Sequence, residues 1–565
     1  MSQKRLIEKM FERGVLLNKD MLEKELDEET IQKVQDEGDL LVLNEDYSKI
    51  IKQESSLVDW YEIDKYRAHA EKDRDEELYQ TQLQQFKKIS LRTDLLNEDK
   101  LEEELTQEIS SIETYITKNS SNFSTDSTIS KGIGLKTELE IDEKTNKNKV
   151  NIVLSYINKP HDYKVSDFTD YFLSRYRFLE SLLRGRQELR QATAINRLFN
   201  KSEKDSVAII GIVQEIGETK NGNLMITVED PTGSMKVLIT KNKQDIFREA
   251  KDLVVDEIIG VSGVYGDKII FAENIVWPDI PINNEMKTGP EEEYIIFLSD
   301  IHVGSKYFMK EEFNKFLKWI RQEAGNEEQR NIAKKVKYII LAGDLVDGVG
   351  IYPAQQEELE IDDIKGQYKE FSKLIDEIPK NIEIIACPGN HDMVHLAEPQ
   401  PVFYKEYAPE LFEMENLSLV TNPSIVNVGK TKDFSGFDIL LYHGYSFDYY
   451  VANVESIRAQ GGYHRADLIM KFLLKRRHLA PAFGSTPYHP AHKEDPLVIR
   501  QIPDFFITGH IHYSKVANYK GVTMISGSCW QATTSFQEKL GHKPEPARVP
   551  VVNLKTREVK ILRFG

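Results

Sequence analysis

Residue types that bind metal ions recur at regular intervals in the second half of the chain. Eleven of the 13 histidines follow residue 290, and five successive apolar segments each end in aspartate, asparagine or histidine. Carboxylate, carboxamide and imidazole ligands together suit hard or borderline divalent ions such as Mn²⁺, Mg²⁺, Fe²⁺ or Zn²⁺. The residues at the five segment ends are Asp300 and His302; Asp344 and Asp347; Asn390, His391 and Asp392; His443; and His510 and His512.

Such a ligand set indicates hydrolysis of a phosphoester. Two ions about 3.5–4 Å apart, bridged by one carboxylate, can activate water in line with phosphorus and neutralise the charge that develops. Cys387 precedes the Gly-Asn-His turn within its apolar segment, and we expect it to pack in the core. Four glycines are typical of tight turns that bring the backbone close to metals. They are Gly343, Gly389, Gly444 and Gly509.

The segments that carry these residues predict a layered α/β domain over residues 294–565. From Tyr294 onward, apolar segments of strand length alternate with helical patterns, as in sheets covered on both faces. The carboxyl ends of parallel strands meet at one edge of a sheet. We therefore expect the candidate ligands to share one crevice.

A smaller β domain is predicted over residues 205–280. Five short strands, with a helix-prone insert between the third and fourth, have the order of an OB-type barrel. Such barrels often bind single-stranded nucleic acid through exposed aromatic residues. Here the strands carry Tyr265, Phe271 and Trp277 but little clustered charge. This favours a barrel used for protein contact, with nucleic-acid binding as the alternative, and residues 281–293 form a linker.

The first 204 residues divide into three predicted parts. Residues 1–116 have an acidic, helical pattern, and residues 117–149 have the composition of a flexible linker. Residues 150–204 form a mixed segment that contains a basic helix. That helix could contact phosphates or pair with an acidic neighbouring domain.

Composition places the chain among soluble globular proteins. It has 565 residues, 40% of them hydrophobic, and a net charge of -18. Residues 1–150 contain 23 basic and 35 acidic side chains, a net of -12, so the other 415 residues carry only -6. Two cysteines exclude a disulfide framework, and we expect a soluble intracellular protein without a membrane span.

The motifs resemble those of calcineurin-like metallophosphoesterases. Asp-x-His, Gly-Asp-x-x-Asp, Gly-Asn-His-Asp, His-Gly and Gly-His-x-His occur in that order between residue 294 and about residue 530. The resemblance implies that His391 approaches the scissile phosphate and that Asp347 orients it. It also implies one ion held by Asp300, His302, Asp344 and His512, with Asp344 bridging to a second ion held by Asn390, His443 and His510.

Two departures from related enzymes narrow the activity. Gly348 and Asp392 stand where phosphoprotein phosphatases carry arginine and glutamate, which favours a phosphodiesterase.

A barrel followed by a phosphoesterase domain resembles the B-subunits of replicative DNA polymerases. Eukaryotic members have lost metal ligands and act as scaffolds, whereas this chain keeps every ligand position and resembles the archaeal D-family small subunits from about residue 150 onward.

This resemblance implies a 3′→5′ proofreading exonuclease that uses two Mn²⁺ or Mg²⁺ ions, with Fe²⁺ or Zn²⁺ as alternatives. It implies a heterodimer with a large catalytic polymerase subunit, acting in DNA replication on primer-template and single-stranded 3′ ends. A sliding clamp or a primase is a further candidate partner, and the expected location is the cytoplasm, at the nucleoid. The alternatives are a non-catalytic scaffold and a stand-alone repair nuclease or phosphodiesterase.

A basic insert, residues 456–478, follows the His443 motif and contains six basic residues and one aspartate. Its position favours contact with the DNA backbone near the metals, and the alternative is an amphipathic helix with basic ends. The candidate DNA-binding residues are Arg458, Arg465, Lys471, Lys475, Arg476 and Arg477.

Overall fold

The computed structural model describes residues 16–17, 42–43, 150–156, 162–200, 204–490, 494–539 and 542–565. Strands β1 (Leu16–Leu17) and β2 (Val42–Leu43) pair in parallel. The rest of the predicted acidic helical region, 1–116, and the whole linker, 117–149, lie outside the described residues. Within the described ranges, no helix has the length and apolarity needed to cross a bilayer.

The described strands after residue 149 build one barrel and two sheets. Their apolar residues alternate in the barrel and run continuously in the central strands of the sheets. The strands are β3 (Val150–Leu154), β4 (Ser206–Glu218), β5 (Leu224–Asp230), β6 (Gly233–Ile239), β7 (Ile258–Gly266), β8 (Ile269–Val276), β9 (Tyr294–Leu298), β10 (Val336–Ala342), β11 (Glu383–Cys387), β12 (Leu417–Leu419), β13 (Ser424–Val428), β14 (Phe437–Leu441), β15 (Phe505–Thr508), β16 (Lys515–Tyr519), β17 (Val522–Ser526), β18 (Arg548–Asn553) and β19 (Val559–Arg563).

Helices occupy the connections between these strands. The α-helices are α1 (Val165–Arg184), α2 (Gln244–Ala250), α3 (Lys310–Ile320), α4 (Glu327–Lys334), α5 (Ile364–Asp376), α6 (Phe447–Asn453), α7 (Glu455–Ala459), α8 (Ala466–Arg476) and α9 (Ser535–Lys539). Short 3₁₀ turns lie at Gln187–Leu189, Ile195–Asn200, Gln355–Glu358, Pro409–Phe412 and Gly462–Arg465.

The barrel is closed and has the strand order β4-β5-β6-β8-β7. Helix α2 lies between the third and fourth strands of the barrel, as predicted. Alternate strand residues such as Ile209, Val228 and Val261 point into its core and are fully buried. The expected OB-like barrel is therefore confirmed.

Two six-stranded sheets face each other in the rest of the chain. Their orders are β12-β11-β10-β9-β18-β19 and β16-β17-β15-β14-β13-β3. Phe297 and Ile340 of the first sheet pack with Ile439 and Ile507 of the second in one buried core. Helices α3 and α5 cover the outer face of the first sheet, and α6 and α8 cover the second. The predicted layered αββα class is confirmed.

The central strands are buried along most of their length because each sheet is covered on both faces. All residues of β9, β15 and β17 are buried. Strands β9, β10 and β11 run parallel as neighbours, and so do β14 and β15. The carboxyl ends of these five strands therefore point the same way within each sheet.

The segment before the barrel joins the second sheet. Strand β3 pairs antiparallel with β13, and helix α1 follows it. Arg175 of α1 is 1% exposed, and its Nε donates to Oδ2 of Asp495 at 2.6 Å. The sequence predicts that the basic helix contacts either phosphates or an acidic neighbouring domain. Arg175 makes the second kind of contact, with Asp495.

His478 completes this buried cluster. Its Nδ1 accepts a hydrogen bond from the main-chain N–H of Ala480 at 2.9 Å, and its Nε2 lies 2.8 Å from Oδ2 of Asp495. A neutral ring with its proton on Nε2 satisfies both contacts, whereas a second proton would break the first. Burial, followed by the charge of Arg175, lowers the pKa of His478 to about 4.

We expect stability to fall as the pH drops from about 6.5 to 4. The unfolded histidine titrates near pH 6.5, so in this window the unfolded chain binds more protons than the folded one. The loss of unfolding free energy from His478 is about 3 kcal/mol over the window. In calorimetry of the metal-free protein, acidification should lower the melting temperature of His478→Gln less than that of wild type.

His464→Gln is the matched control, because His464 is exposed. Equal acid sensitivity of wild type and His478→Gln would contradict this role for His478.

Candidate metal centre

The predicted ligands lie on loops that follow five strands. The loops after β9, β10 and β11 carry Asp300, Asp344 and Asn390, and those after β14 and β15 carry His443 and His510. Three strand ends therefore come from one sheet and two from the other. The ligands meet where the carboxyl ends of the two facing sheets adjoin.

One group of ligands consists of Asp300, His302 and His512, all of them buried. Nε2 of His512 lies 3.4 Å from Oδ1 of Asp300 and 3.1 Å from Nε2 of His302. Donor atoms of the three side chains lie within 4.8 Å of one another. They can surround one cation.

Asp344 lies between this group and a second one. Its Oδ2 is 3.8 Å from Nε2 of His302 and 3.2 Å from Nε2 of His443. Oδ1 of Asn390 is 2.9 Å from Nε2 of His443 and 2.9 Å from Nδ1 of His510. Asp344 is therefore placed as a carboxylate shared between two groups of ligands.

The spacing of these donors fits divalent cations. Two donors bound at right angles, about 2.1 Å from one ion, lie about 3.0 Å from each other. The nitrogen pair of His302 and His512 is separated by 3.1 Å, and the pair of Asp344 and His443 by 3.2 Å. Facing imidazole nitrogens can share only one proton, so a cation satisfies both better.

Five predicted ligands adopt a left-handed backbone conformation that non-glycine residues rarely take. Their φ angles are +52° at Asp300, +54° at His302, +52° at Asp344, +73° at His510 and +59° at His512. Each such residue costs about 1–3 kcal/mol unless its surroundings impose the conformation. The strain is concentrated where the chain leaves a strand and turns a ligand toward the centre.

Glycines permit the close approach of these loops. A Cβ atom on Gly389 would lie 2.2 Å from Oδ1 of Asp344, and one on Gly509 would lie 2.5 Å from Oδ2 of Asp300. Both distances are shorter than any real contact of a Cβ atom. A side chain at either position would displace a ligand carboxylate.

His391 is held through the main chain of Asp347. Nδ1 of His391 lies 2.7 Å from the carbonyl oxygen of Asp347, and the main-chain N–H of His391 donates to Oδ1 of Asp344 at 2.8 Å. The Asp347 carboxylate instead accepts hydrogen bonds from Gln355 and Gln531, at 3.0 Å and 2.8 Å. Asp347 thus contacts the ring of His391 through its main chain, and the orienting role of its carboxylate stays a prediction.

Opposite charges compensate each other in the centre. Burial opposes ionisation of Asp344, but the surrounding imidazoles, His443 foremost, hold its pKa well below the usual range. Burial likewise opposes protonation of His443, yet Asp344 raises the pKa of that imidazole to about 9. Burial raises the pKa of Asp392 to about 7. In the centre, the anionic carboxylate of Asp344 therefore lies next to the protonated imidazole of His443.

Asp448 is a functional candidate that the sequence reasoning missed. Its Oδ2 lies 3.0 Å from Nε2 of His510, which leaves Nδ1 of that ring facing Asn390. A carboxylate on the far nitrogen of a metal-binding histidine fixes the orientation of the ring. Its position five residues after His443, in His-Gly-Tyr-Ser-Phe-Asp, was the available signal.

Comparison with known proteins identifies the family. Residues 294–514 match the calcineurin-like phosphoesterase family. The DNA polymerase II small subunit of Methanothermobacter thermautotrophicus is 38% identical over 71% of this chain and 80% of its own length. The chain belongs to the family of archaeal DNA polymerase II small subunits. The resemblance inferred from the motifs is thereby confirmed.

Other members of the family match a similar share of the chain. The subunit from Archaeoglobus fulgidus is 39% identical over 71% of this chain and 78% of its own length. The one from Pyrococcus furiosus is 38% identical over 71% of this chain, which spans 64% of that protein.

The basic insert packs largely inside the protein. Arg476 is 4% exposed, and its Nε lies 2.7 Å from Oε2 of Glu257 in the barrel. Arg477 is also 4% exposed and donates to two main-chain carbonyl groups. Buried guanidinium groups cannot reach a DNA phosphate, so the predicted DNA contacts of Arg476 and Arg477 are wrong.

Two other predicted DNA-binding residues of the insert, Lys475 and Arg465, contact side chains of the protein itself. Nζ of Lys475 lies 2.8 Å from Oε2 of Glu249 and 3.7 Å from the ring centroid of Trp277. Arg465 pairs with Asp467 at 2.8 Å. DNA contact stays a prediction for Arg458, Arg465, Lys471 and Lys475.

Replacing Asp448 should weaken metal binding at the ligands next to it. In Asp448→Ala the His510 ring loses the contact that orients it, and we expect Mn²⁺ affinity at that ion to fall about 10–100-fold. Isothermal titration calorimetry measures this directly. Glu455→Ala is the control, since Glu455 is an exposed carboxylate on the neighbouring helix. Identical isotherms for the two variants would show that Asp448 does not orient His510.

Proposed function

We propose that this chain is a metal-dependent 3′→5′ exonuclease that removes mismatched nucleotides from primer ends. The observation that supports this most strongly is the uninterrupted ligand set, with donor atoms of neighbouring ligands 2.9–3.4 Å apart. The 3′→5′ polarity comes from the family resemblance, because these ligands would serve either direction. The name small subunit in its relatives supports a large catalytic polymerase subunit as the partner.

Two ions are proposed, one for each group of ligands. Bound divalent ions would supply a nucleophile at neutral pH and stabilise charge on the phosphate. Asp300, His302 and His512 would hold one ion, and Asn390, His443 and His510 the other, with Asp344 between them.

His391 is proposed to act at the leaving oxygen. The carbonyl oxygen of Asp347 accepts a hydrogen bond from Nδ1–H of His391, so Nδ1 keeps its proton. Nε2 is therefore the nitrogen that can exchange a proton with the substrate. In a 3′→5′ exonuclease the leaving oxygen is the 3′-oxygen of the penultimate nucleotide.

Unpaired ends are the proposed substrates. A nucleotide within a duplex must unstack and unpair before its phosphodiester reaches a buried centre, and a mismatch lowers that cost. The net charge of -6 over residues 151–565 opposes tight binding of DNA by this chain alone. Delivery of the primer end by the larger partner would overcome this.

Asn390→Ala and His391→Ala should each lower exonuclease activity at least about 100-fold, since one removes a ligand and the other the proton carrier. The assay follows an end-labelled primer with a 3′ mismatch in the presence of Mn²⁺. Asn518→Ala and His464→Ala, which alter exposed residues of the same types, serve as controls. Full activity of either site variant would refute the assigned role.

Metal content separates an exonuclease from a non-catalytic scaffold. We expect two Mn²⁺ ions per chain after dialysis against Mn²⁺, measured by plasma mass spectrometry, and loss of both in Asp344→Ala, because Asp344 contacts both groups of ligands. A scaffold has no need to retain ions. Wild-type protein that binds none would support the scaffold and contradict the proposal.

A further inference from the structure

An apolar cleft opens beside the metal centre. It has a volume of about 600 Å³, and Asn390, His391 and Tyr445 contribute to its lining. This volume lies within the range of small-ligand sites. Four large apolar side chains on its walls are 38–48% exposed: Val349, Ile351, Met393 and Leu396.

One wall is a loop of residues 348–351 that buried glutamines hold in place. The main-chain N–H of Gly348 donates to Oε1 of Gln367 at 2.9 Å, and Nε2 of Gln367 donates back to the Gly348 carbonyl at 3.0 Å. Gln355 accepts from the N–H of Ile351 at 2.8 Å and also donates to Asp347. Val349 and Ile351 are thus exposed on a loop whose main chain is hydrogen-bonded to buried glutamines.

This loop also lies directly against the proposed proton carrier. A Cβ atom on Gly348 would be 2.4 Å from the carbonyl oxygen of His391. The glycine that replaces the arginine of protein phosphatases therefore allows the loop to approach His391.

Another part of the lining continues from the metal-binding motif. Met393 follows His391 and Asp392, and its main-chain N–H donates to the hydroxyl of Tyr368 at 2.9 Å. The same hydroxyl donates to Oδ1 of Asp392 at 3.1 Å. The wall that carries Met393 and Leu396 is therefore fixed to the same buried groups as the site itself.

The charge of the cleft indicates what it binds. Among the described residues, its lining includes Asp362 and Asp392 but no lysine or arginine. The acidic side chains favour an uncharged ligand group at these walls, and the flat face of a nucleobase suits them. Apolar groups exposed next to a reactive centre are typical of ligand contacts.

We infer that the cleft binds the unstacked base of the penultimate nucleotide, the one that carries the leaving oxygen. This inference rests on the proposed exonuclease function and adds the position of the substrate. His391 at the leaving oxygen places the nucleoside bonded to that oxygen at the cleft. Substrates with at least two unpaired terminal nucleotides are therefore preferred.

The test combines changes in the protein with removal of single bases from the DNA. Full-length wild type and the double variant Ile351→Ser with Leu396→Ser degrade a single-stranded oligonucleotide with Mn²⁺. Two further oligonucleotides carry an abasic tetrahydrofuran unit at the penultimate or the terminal position. Initial rates at limiting substrate report kcat/KM for the first cleavage.

We expect the penultimate abasic unit to slow wild type about tenfold and to leave the double variant unaffected. The double variant should cleave the normal oligonucleotide about tenfold more slowly than wild type. Ile282→Ser with Ile561→Ser is the matched control, because both side chains are exposed away from the cleft, and it should behave as wild type. Equal melting temperatures of the two double variants exclude a folding defect.

Three results would overturn the inference. Equal sensitivity of wild type and cleft variant to the penultimate abasic unit would show that the cleft does not bind that base. If wild type and the double variant differed only in their response to the terminal abasic unit, the cleft would bind the terminal base and not the penultimate one. Absence of Mn²⁺-dependent cleavage by wild type on every substrate would instead refute the proposed function, and the cleft assignment with it.

Discussion

Burial of carboxylates next to imidazoles is the interaction on which this structure depends. Asp300 and Asp344 are at most 1% exposed. An oxygen of Asp300 lies 3.4 Å from His512, and one of Asp344 lies 3.2 Å from His443 and 3.8 Å from His302. An isolated buried carboxylate is very costly, so the charge must be matched by protons or cations. Parallel strands from two sheets supply the matching groups, because their carboxyl ends meet at one place.

The same requirement explains the unusual backbone around the centre. Left-handed conformations at ligands such as His302 and His510 turn side chains inward immediately after a strand ends. Glycines remove the Cβ atoms that would collide with the ligands. A second layer of uncharged groups, including Gln355 and Gln531, then fixes the loops without adding charge that would compete with a cation.

Two buried basic residues connect parts of the fold. Arg175 and Arg476 are buried and pair with Asp495 and Glu257, which joins helix α1 and the barrel to the phosphoesterase layers. A buried ion pair contributes little net stability, but removal of one partner is costly. These pairs therefore fix the arrangement of the parts, and they leave fewer cations for a DNA backbone.

The sequence alone determined the fold class, the family and the set of candidate ligands. These signals are local: the ligands occur within motifs of two to four residues at strand ends, and the strands and the barrel follow from periodic burial. Tertiary structure decided which side chain supports which ligand, such as Asp448 behind His510, because the partners come from separate loops. It also decided that Arg476 is buried while the nearby Arg458 stays exposed, since helical charges look alike until a neighbouring domain packs against them.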